Sequence, residues 1–366
     1  MLKIYKFIPK YFLFRNFLLY LQYKNIDMDK TGLIIGKFMP LHVGHEAMFK
    51  WALTECDKLM IVVLSHDTEP ITGDVRYKWV MHSDVVQDNK DRIVVHHYTY
   101  NPDELDSSSE SNIASSYAWA DALKTYIDCC DIIFGSEEYV RYMADYTYKE
   151  YKFYDVERTN INISATTIRE NPIDNWSYLA SVVKRALSLS VCICGTESSG
   201  KTTLCNTTSI RNKNVTVLPE LGRCLVGNSE YLDKDVLWDV LDMQAKLTYL
   251  SEKNPASPIV FWDTDCITTL SYMCYAGFIE KDKICTKNFP IADIYLFLER
   301  DFDFVQDGTR MSENSADELA KSHYDLYTNV FNIKNICVVK NNVALMHQID
   351  KVIEEHKNYI KNVFKL

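Results

Sequence analysis

Residues 190–203 have the sequence SVCICGTESSGKTT, and this stretch predicts the fold of the second half of the chain. Residues 190–194 predict a strand, and the next eight residues fit the pattern G-x-x-x-x-G-K-[S/T] in full, ahead of a predicted helix. Such a loop turns backbone N–H groups toward a β-phosphate, while Lys201 places a cation on the β/γ oxygens and the Thr202 hydroxyl ligates Mg²⁺. The residues predicted to bind ATP here are Gly195, Thr196, Glu197, Ser198, Ser199, Gly200, Thr202 and Thr203.

Two carboxylates, Asp263 and Asp265, follow the predicted strand 258–262 of the same half. One can hold the water shell of Mg²⁺, with Asp263 the expected metal ligand, and the other can orient or deprotonate an acceptor hydroxyl. The competing interpretation is a pair of aspartates that cap a helix. Three further polar residues are candidates for phosphate or acceptor contacts, with loop ion pairs or plain surface positions as the alternative: Glu220, Arg223 and Arg310.

A different phosphate-binding pattern opens the first half, where residues 36–45 (GKFMPLHVGH) follow the predicted strand 33–35. Two histidines three residues apart, at the start of a predicted helix, suit a nucleoside triphosphate. Imidazoles can donate to phosphate oxygens, and the helix N-terminus adds its positive end. Zinc is the competing ligand, but two histidines without a third ligand make a poor zinc site. The residues predicted to contact ATP at this loop are Gly36, Lys37, Phe38, His42, Gly44 and His45.

Residues 163–169 (ISATTIR) offer hydroxyl groups and a guanidinium at the start of another predicted helix. Ser164, Thr166 and Arg169 are therefore predicted to form a second phosphate clamp in the same half of the chain. The competing interpretation is a helix capped by a side-chain hydroxyl, with no ligand involved.

Predicted strands alternate with predicted helices in both halves, which favours an α/β fold with two consecutive parallel sheets. The predicted strands are residues 33–35, 59–64, 93–97 and 131–134 in the first half, and 190–194, 258–262 and 294–298 in the second. The helical patterns are at residues 45–56, 119–127 and 175–187. The polar, serine-rich segment 101–116 is expected to be a mobile loop, and the domain boundary is expected near residue 185.

The composition excludes several classes of function. The chain has 366 residues and a formal net charge of −10, so no broad basic surface is expected for nucleic acid or an anionic membrane. Its eleven cysteines show neither CxxC spacing nor zinc-site order, which indicates reduced thiols in a cytoplasmic protein. The apolar segment 11–23 is interrupted by Arg15 and is shorter than the roughly 20 residues that span a bilayer. Residues 1–27 are expected to be an extension of unknown role without stable membrane insertion.

The two sets of motifs together resemble a known family. The HxGH signature at residues 42–45 and the SATTIR segment at 164–169 resemble the nicotinamide mononucleotide adenylyltransferases. The P-loop and the Asp-Thr-Asp strand end behind them make the whole similar to the NadR-type bifunctional family, in which a ribosylnicotinamide kinase follows the adenylyltransferase. The resemblance covers residues 31–353 in the family's motif order, including the segments 220–223 (ELGR), 263–269 (DTDCITT) and 307–310 (DGTR).

The resemblance implies a Rossmann-like nucleotidyltransferase domain at residues 28–185 and a P-loop kinase domain at residues 186–366. Regulatory members of the family carry an N-terminal helix-turn-helix domain. The residues before the first predicted strand are too few for it, so a DNA-binding repressor role is not expected. The implied partners are small molecules: ATP, nicotinamide riboside, nicotinamide mononucleotide and NAD. The sequence leaves open whether the chain forms a homo-oligomer.

The resemblance also implies two consecutive reactions. In the second domain, the 5′-hydroxyl of nicotinamide riboside would attack the γ-phosphorus of ATP. Lys201, Arg310 and Thr202 with Mg²⁺ would stabilise charge there, and Asp263 or Asp265 would handle the hydroxyl. In the first domain, the 5′-phosphate of the mononucleotide would attack the α-phosphorus of a second ATP, giving NAD and pyrophosphate. Lys37, His42, His45 and Arg169 would contact that triphosphate.

The remaining implied contacts concern adenosine and the mononucleotide. Gly135 and Ser136, after the fourth predicted strand, would lie along the adenosine. Trp119 and Trp79 are candidates for stacking on the cationic nicotinamide ring, with core packing as the alternative. Arg76 and Lys78 are candidates for the mononucleotide phosphate, with a solvated helix face as the alternative.

Two other functions compete with this interpretation. One is a different HxGH nucleotidyltransferase fused to a P-loop nucleoside kinase. The other is a nucleotide-sensing regulator with little turnover. A sensor does not need every charge-stabilising group, so the regulator is disfavoured by the presence of Lys37, His42, His45, Arg169, Lys201 and Asp263.

Overall fold

The structure is a computed structural model, and it describes residues 29–106, 112–195, 197–225, 233–300 and 312–365. The chain divides into two compact units, of which the first comprises Met1–Phe38 and Gly44–Asn162 and the second comprises Met39–Val43 and Ile163–Leu366. Each unit is built around one five-stranded parallel sheet with helices between its strands, which confirms the predicted α/β class. The domain boundary near residue 185 stays a prediction, and the predicted extension at residues 1–27 lies outside the described residues.

The sheet of the first unit has the strand order β3-β2-β1-β4-β5. Its strands are β1 (Thr31–Gly36), β2 (Lys58–Ser65), β3 (Ile93–Thr99), β4 (Ile132–Gly135) and β5 (Glu150–Phe153), so the four strands predicted in this half are confirmed. The inner strands β1 and β2 are nearly continuous apolar runs, as expected for parallel strands that are covered on both faces. The chain leaves β1 toward β2 and returns to β4 on its other side. A crevice is therefore expected at the carboxyl ends of β1 and β4.

The helices of the first unit are α1 (Val43–Ala52), α2 (Gly73–Met81), α3 (Asp84–Asp88), α4 (Ile113–Ala122), α5 (Lys124–Asp128) and α6 (Tyr139–Thr147). The expectation of a loop throughout residues 101–116 is wrong at its end, because α4 begins at Ile113. The Asn112 side chain accepts a hydrogen bond from the Ser115 amide at 2.7 Å and so caps this helix. Residues 107–111 lie outside the described residues, and the predicted helix 119–127 is divided at Leu123.

The sheet of the second unit has the strand order β10-β9-β6-β8-β7, again with parallel neighbours. Its strands are β6 (Leu189–Gly195), β7 (Val215–Leu218), β8 (Ile259–Asp263), β9 (Ile294–Glu299) and β10 (Ile336–Lys340), and the three predicted strands are confirmed. Alternate residues of β6 belong to two core clusters, Cys192 and Cys194 to one, Val191 and Ile193 to the other. This period of two is what a strand buried on both faces requires.

The helices of the second unit are α7 (Ala165–Glu170), α8 (Ser181–Leu187), α9 (Lys201–Arg211), α10 (Gly222–Leu225), α11 (Lys234–Lys253), α12 (Cys266–Tyr275), α13 (Glu313–Asp325) and α14 (Val343–Val363). A π-helical turn at Leu326–Val330 follows α13. The prediction of one helix over residues 175–187 is wrong. The segment is a 3₁₀ turn at Trp176–Tyr178 and then α8, because Leu179 is extended and forms an antiparallel bridge with His42. In the described part of the chain, no helix has the length and apolar character needed to cross a membrane.

Candidate functional site

The loop after β6 contains two glycines with positive φ. Gly195 has φ +125°, and a Cβ atom on it would lie 2.3 Å from the backbone oxygen of Leu298 on β9. Gly200 has φ +84° and is the N-cap of α9. Both backbone conformations therefore favour glycine, and at Gly195 the clash excludes any side chain. The loop starts at the carboxyl edge of the sheet and ends at the positive end of α9, and this arrangement favours binding of an anion.

Lys201 is held over this loop. As the first residue of α9, it donates a hydrogen bond from Nζ to the Gly195 carbonyl at 3.2 Å. Ser199 is fully buried in the loop, and Asn341, after β10, donates from Nδ2 to the Gly200 carbonyl at 3.3 Å. The predicted residues Glu197, Ser198, Thr202 and Thr203 belong to the same loop and the first turn of α9, whereas Thr196 lies outside the described residues.

Two side chains that the sequence motifs do not single out pack beneath the loop. Tyr272 on α12 donates from its hydroxyl to the Glu197 carboxylate at 2.6 Å. Its ring contacts His323 of α13 edge-on, with 5.4 Å between the ring centroids. Burial, together with the nearby Lys201 ammonium, lowers the pKa of His323 to about 3. His323 is therefore a neutral packing partner that adds no positive charge beside Lys201.

The two predicted carboxylates, Asp263 and Asp265, both lie at the end of β8 and are both buried. Asp263 is paired in register with Ile193 of β6, so it lies beside the strand that leads into the loop. Thr264 between them has φ +70°, and its amide donates to the Ile193 carbonyl at 3.0 Å. A non-glycine residue in this conformation costs about 1–3 kcal/mol, and such strain is commonly retained at functional sites.

Asp265 combines a capping role with a carboxylate oxygen that has no partner. Its Oδ1 accepts from the Tyr327 hydroxyl at 2.6 Å and from the Thr268 amide at 3.1 Å, which makes it the N-cap of α12. Its Oδ2 is buried without a hydrogen-bond partner among the described residues. Burial raises the pKa of Asp265 to about 6, although the Tyr327 hydrogen bond acts in the opposite direction. The capping interpretation is therefore correct for Asp265 but accounts for only one of its two oxygens.

The predicted pair Glu220 and Arg223 lies in the segment that follows β7. The amide of Leu221, next to Glu220, donates to Oε1 of Gln244 on α11 at 3.4 Å. Gln244 is buried, and it does not belong to any of the sequence motifs described above. The side chain of Arg223 and the whole of Arg310 lie outside the described residues, so their predicted contacts stay predictions.

In the first unit, the loop after β1 brings Phe38 and His45 together. Phe38 has φ +47°, and its ring contacts the His45 ring edge-on at 5.0 Å between centroids. A Cβ atom on Gly36 would lie 3.1 Å from Cζ of this phenylalanine, so glycine leaves space for the ring. His45 is in the first turn of α1, and Gly44 precedes it. The predicted loop-to-helix context of this motif is therefore present.

Glu69 contacts several basic side chains of the first unit. Its carboxylate pairs with Lys37 Nζ at 3.1 Å, with His66 Nε2 at 3.3 Å and with the Arg76 guanidinium. Arg76 is fully buried and also donates to the carbonyls of Lys37, Leu64 and Ile71 at 2.6, 2.9 and 3.0 Å. These interior partners favour a structural role for Arg76 over the predicted contact with a mononucleotide phosphate. Lys78, on the same helix, is exposed.

The two candidate tryptophans have different environments. Trp79 is 5% exposed and packed in the core, which agrees with the alternative interpretation and not with ring stacking. Trp119 is half-buried on α4, donates from Nε1 to the Asp106 carbonyl at 2.7 Å, and contacts Tyr100 edge-on at 4.8 Å. Lys37 Nζ lies 6.0 Å from the centroid of the Tyr100 ring. Trp119 is therefore the tryptophan that lies near the predicted loop residues.

Gly135 and Ser136 lie at the carboxyl end of β4, beside β1. A Cβ atom on Gly135 would lie 2.5 Å from Cγ2 of Val140, which explains the glycine by helix packing. The Ser136 hydroxyl donates to the Tyr154 carbonyl at 2.7 Å. The structure thus places both residues at the expected edge of the sheet, and their contact with adenosine stays a prediction.

The second unit contains His42 and the 164–169 segment. His42 is buried in its bridge with Leu179. The Ser164 hydroxyl accepts from the Thr167 amide at 3.0 Å and caps α7, as the competing interpretation expects. Arg169 donates to the Met39 carbonyl at 2.7 Å and to the Thr166 hydroxyl at 3.0 Å. Arg169 is thus bound to the backbone of residue 39, which belongs to the same unit.

Both loops contain mainly oxygen-bearing and cationic groups. In the part of the chain that the structure describes, protein side chains alone do not form a metal centre. There, no group of three or more His, Cys, Asp or Glu side chains could hold a metal ion. A metal bound at the loop after β6 would therefore depend on its nucleotide for part of its coordination, which is the usual situation for Mg²⁺.

The chain is similar to a family model and to several known proteins. A family model of an AAA domain matches residues 190–344, which start within β6 and include the loop described above. The chain is 28% identical over 324 residues to the trifunctional NAD biosynthesis/regulator protein NadR of Salmonella typhimurium, and the match covers 79% of this chain and 73% of that protein.

Two further similarities concern an enzyme and a solved structure. The chain is 30% identical over 158 residues to the nicotinamide-nucleotide adenylyltransferase of Saccharolobus solfataricus, which covers 40% of this chain and 83% of that protein. A crystal structure of NadR protein in complex with NR aligns over 91% of this chain and 97% of that chain, with a TM-score of 0.53 and 21% identity. This structural similarity supports the fold.

Proposed function

The chain belongs to the nicotinamide-nucleotide adenylyltransferase family and is homologous to NadR over most of its length, and on this premise we propose that it makes NAD in two consecutive reactions. In the first reaction it phosphorylates nicotinamide riboside with ATP. In the second it adenylylates the resulting mononucleotide with another ATP and releases pyrophosphate. The observation that carries the kinase half is the strand–loop–helix with Gly195, Gly200 and Lys201, beside a strand that ends in two buried aspartates.

The kinase reaction is a displacement at the γ-phosphorus of ATP. The riboside 5′-oxygen forms a bond to that phosphorus while the bond to the bridging oxygen of ADP breaks. The loop amides and Lys201 bind the β- and γ-phosphates, so that the developing charge meets fixed positive groups. Asp265 is the proposed acceptor of the hydroxyl proton, because its Oδ2 is buried without a partner among the described residues while Tyr327 and Thr268 hold its Oδ1. Asp263, which is paired in register with Ile193 of β6, is proposed to hold the water shell of Mg²⁺.

Mg²⁺ fits the oxygen donors at this site. Thr202 is in the first turn of α9, and α9 packs against β8, which ends at Asp263. A hydroxyl, a carboxylate and ATP phosphates together make the hard-oxygen environment that Mg²⁺ prefers. When bound, the ion neutralises charge on the β/γ oxygens. Thr202 and Asp263 are the residues proposed to hold it, Asp263 through its water shell.

The adenylyl transfer needs alignment and charge stabilisation rather than a base. The mononucleotide phosphate is already a competent nucleophile near neutral pH, and its oxygen attacks the α-phosphorus while pyrophosphate leaves. Lys37, His42, His45 and Arg169 are proposed to contact the triphosphate, as the HxGH motif of the family implies. Ser164 and Thr166 are proposed at its β/γ end, and Trp119 rather than the packed Trp79 is proposed to stack on the nicotinamide ring.

The proposed function is tested by NAD formation from two substrates. The purified chain is incubated with ATP, Mg²⁺ and either nicotinamide riboside or the mononucleotide, and NAD is measured by absorbance after coupled enzymatic reduction. We expect NAD from both. NAD from the mononucleotide alone would contradict the kinase assignment, and NAD from neither would contradict the whole proposal.

A further inference from the structure

A buried glutamine, Gln244, lies on α11 next to the segment that follows β7. Its side chain is 3% exposed. The Leu221 amide donates to its Oε1 at 3.4 Å, and because an N–H group must face an oxygen, this contact fixes which end of the amide points toward Leu221. The opposite end, the Nε2 amino group, therefore points away from that segment.

The Nε2 group is a buried donor without an acceptor among the described residues. The nearby Thr248 hydroxyl donates to the backbone carbonyl of Gln244 at 2.9 Å and forms no hydrogen bond with Nε2. A buried polar group left unpaired costs about 1–3 kcal/mol, so native proteins rarely keep one without a reason. A ligand that supplies an acceptor oxygen would give it a partner.

Gln244 is connected to the edge of the sheet at which the two aspartates lie. β7 ends at Leu218, which is paired in register with Trp262 of β8, the residue before Asp263. The chain that leads from β7 to Leu221 and Gln244 thus leaves the sheet at the same edge as the carboxylates. One turn before Gln244, the Leu241 carbonyl contacts the Cys266 thiol of α12 at 4.0 Å, and this cysteine directly follows Asp265.

We propose that Gln244 is a specificity-determining residue of the acceptor pocket, whose Nε2 donates a hydrogen bond to an uncharged oxygen of the bound riboside. This inference rests on the proposed kinase function. The oxygen is the carboxamide carbonyl or a ribose hydroxyl, which have the same acceptor chemistry. A neutral donor suits this substrate, because a lysine or arginine at the same position would repel the cationic pyridinium ring.

The test replaces the amide with a side chain of similar length and volume that lacks the donor, Gln244→Met. Steady-state kinetics are measured for riboside and for ATP separately. We expect the KM for the riboside to rise about tenfold or more, since one hydrogen bond to a buried group is lost, while the KM for ATP stays within about twofold. The matched control is Thr248→Val, which removes a buried hydroxyl one turn along the same helix and should leave both KM values unchanged.

A pyridine riboside without the carboxamide distinguishes the two oxygens. If Gln244 contacts the carboxamide, wild type and Gln244→Met will use this analogue equally well, whereas a contact with ribose will leave the tenfold difference in place. Either result supports the inference. A folded variant whose riboside KM equals that of wild type would overturn it, as would an equal KM increase in Thr248→Val. A wild-type chain that phosphorylates no riboside would overturn the proposed function and this inference together.

Discussion

At the scale of single residues, Gly195 carries the most demanding steric requirement in the loop after β6. Its φ is +125°, and the Cβ atom of an alanine there would lie 2.3 Å from the Leu298 backbone oxygen, which cannot move aside as the end of a flexible side chain could. Gly195→Ala is expected to displace the loop and to reduce riboside phosphorylation by about 100-fold or more, by analogy with the loss of other charge-stabilising groups. The measurement is ATP-dependent mononucleotide formation together with thermal unfolding.

A glycine elsewhere in the same unit provides the matched control. Gly277 also has positive φ, +74°, but a Cβ atom on it would meet nothing within 4 Å. Gly277→Ala should therefore show only the backbone cost of about 1–2 kcal/mol in unfolding free energy, with normal phosphorylation. Equal activity losses in the two variants would show that general destabilisation, and not the loop, explains the effect at Gly195.

The environment of Glu252 on α11 predicts how the free energy of unfolding depends on pH. Burial raises the pKa of Glu252 to about 7, and the charge of Asp293 contributes in the same direction. A carboxyl whose folded pKa is raised stabilises the fold at low pH, and this stability is lost as the pH rises through about 7. Glu252→Gln cannot ionise, so it should gain stability relative to wild type between pH 5 and 8. The gain should be on the order of 1–3 kcal/mol after allowance for partial solvent screening.

Chemical denaturation at pH 5 and at pH 8 measures this difference. Asp242→Asn, an exposed position on the same helix, is the control and should show no such gain across the window. Parallel stability curves for wild type and Glu252→Gln over this range would contradict the assigned environment of Glu252.

At the scale of elements, the π-helical turn Leu326–Val330 positions the proposed base of the kinase. It places the Tyr327 hydroxyl between the Asp265 carboxylate at 2.6 Å and the Thr268 hydroxyl at 3.0 Å. Tyr327→Phe removes a hydrogen bond to a charged group, worth about 1.5–3 kcal/mol. We expect kcat for riboside phosphorylation to fall about tenfold or more, with the KM for ATP and the adenylylation rate unchanged.

The neighbouring Tyr324, which is partly exposed on α13, tests whether any lost tyrosine hydroxyl has this effect. Tyr324→Phe should leave kcat near the wild-type value. A normal kcat in Tyr327→Phe would contradict the proposal that Asp265 accepts the hydroxyl proton. It would show that catalysis does not depend on the hydrogen bond that holds Oδ1 of Asp265 in place.

The same scale shows which elements can be predicted from sequence. All seven predicted strands exist, because each is a short apolar run next to turn residues, as buried parallel strands are. The strands without a sequence prediction are β5, β7 and β10, and each is at a sheet edge. β5 and β10 expose much of their surface, so their sequences lack a continuous apolar pattern. Hydrophobic periodicity predicts helix ends wrongly where a side-chain cap or a backbone bridge sets the end of the helix. Asn112 is such a cap, and Leu179 forms such a bridge.

The residues of the candidate site also divide into those that a sequence motif predicts and those that it does not. Gly195, Gly200 and Lys201 are predictable because loop geometry imposes a contiguous motif. Tyr272, His323 and Gln244 come from separate helices, and only tertiary packing brings each of them against the loops or the segment after β7. A single tyrosine, histidine or glutamine in a helix has no spacing signal, so the sequence cannot distinguish these residues from ordinary core positions.

At the scale of the whole molecule, the two proposed reactions depend on different loops, one after β1 and one after β6. Lys201→Ala removes the cation at the β/γ oxygens of the kinase loop and should abolish conversion of riboside to mononucleotide. His45→Ala removes a proposed donor to the other triphosphate and should do the reverse, with a loss of about 100-fold or more in adenylylation. Each variant should keep the activity of the other loop nearly intact.

This pair of variants is its own control, because each protein reports on a reaction that its substitution should not affect. Mononucleotide and NAD are quantified separately by chromatography, first with riboside and then with mononucleotide as substrate. Mixing the two variants should restore NAD formation from riboside, since mononucleotide made by the His45→Ala protein can diffuse to the Lys201→Ala protein. Loss of both activities in either folded variant would contradict the two-site assignment, and failure of the mixture would show that the intermediate does not pass through solution.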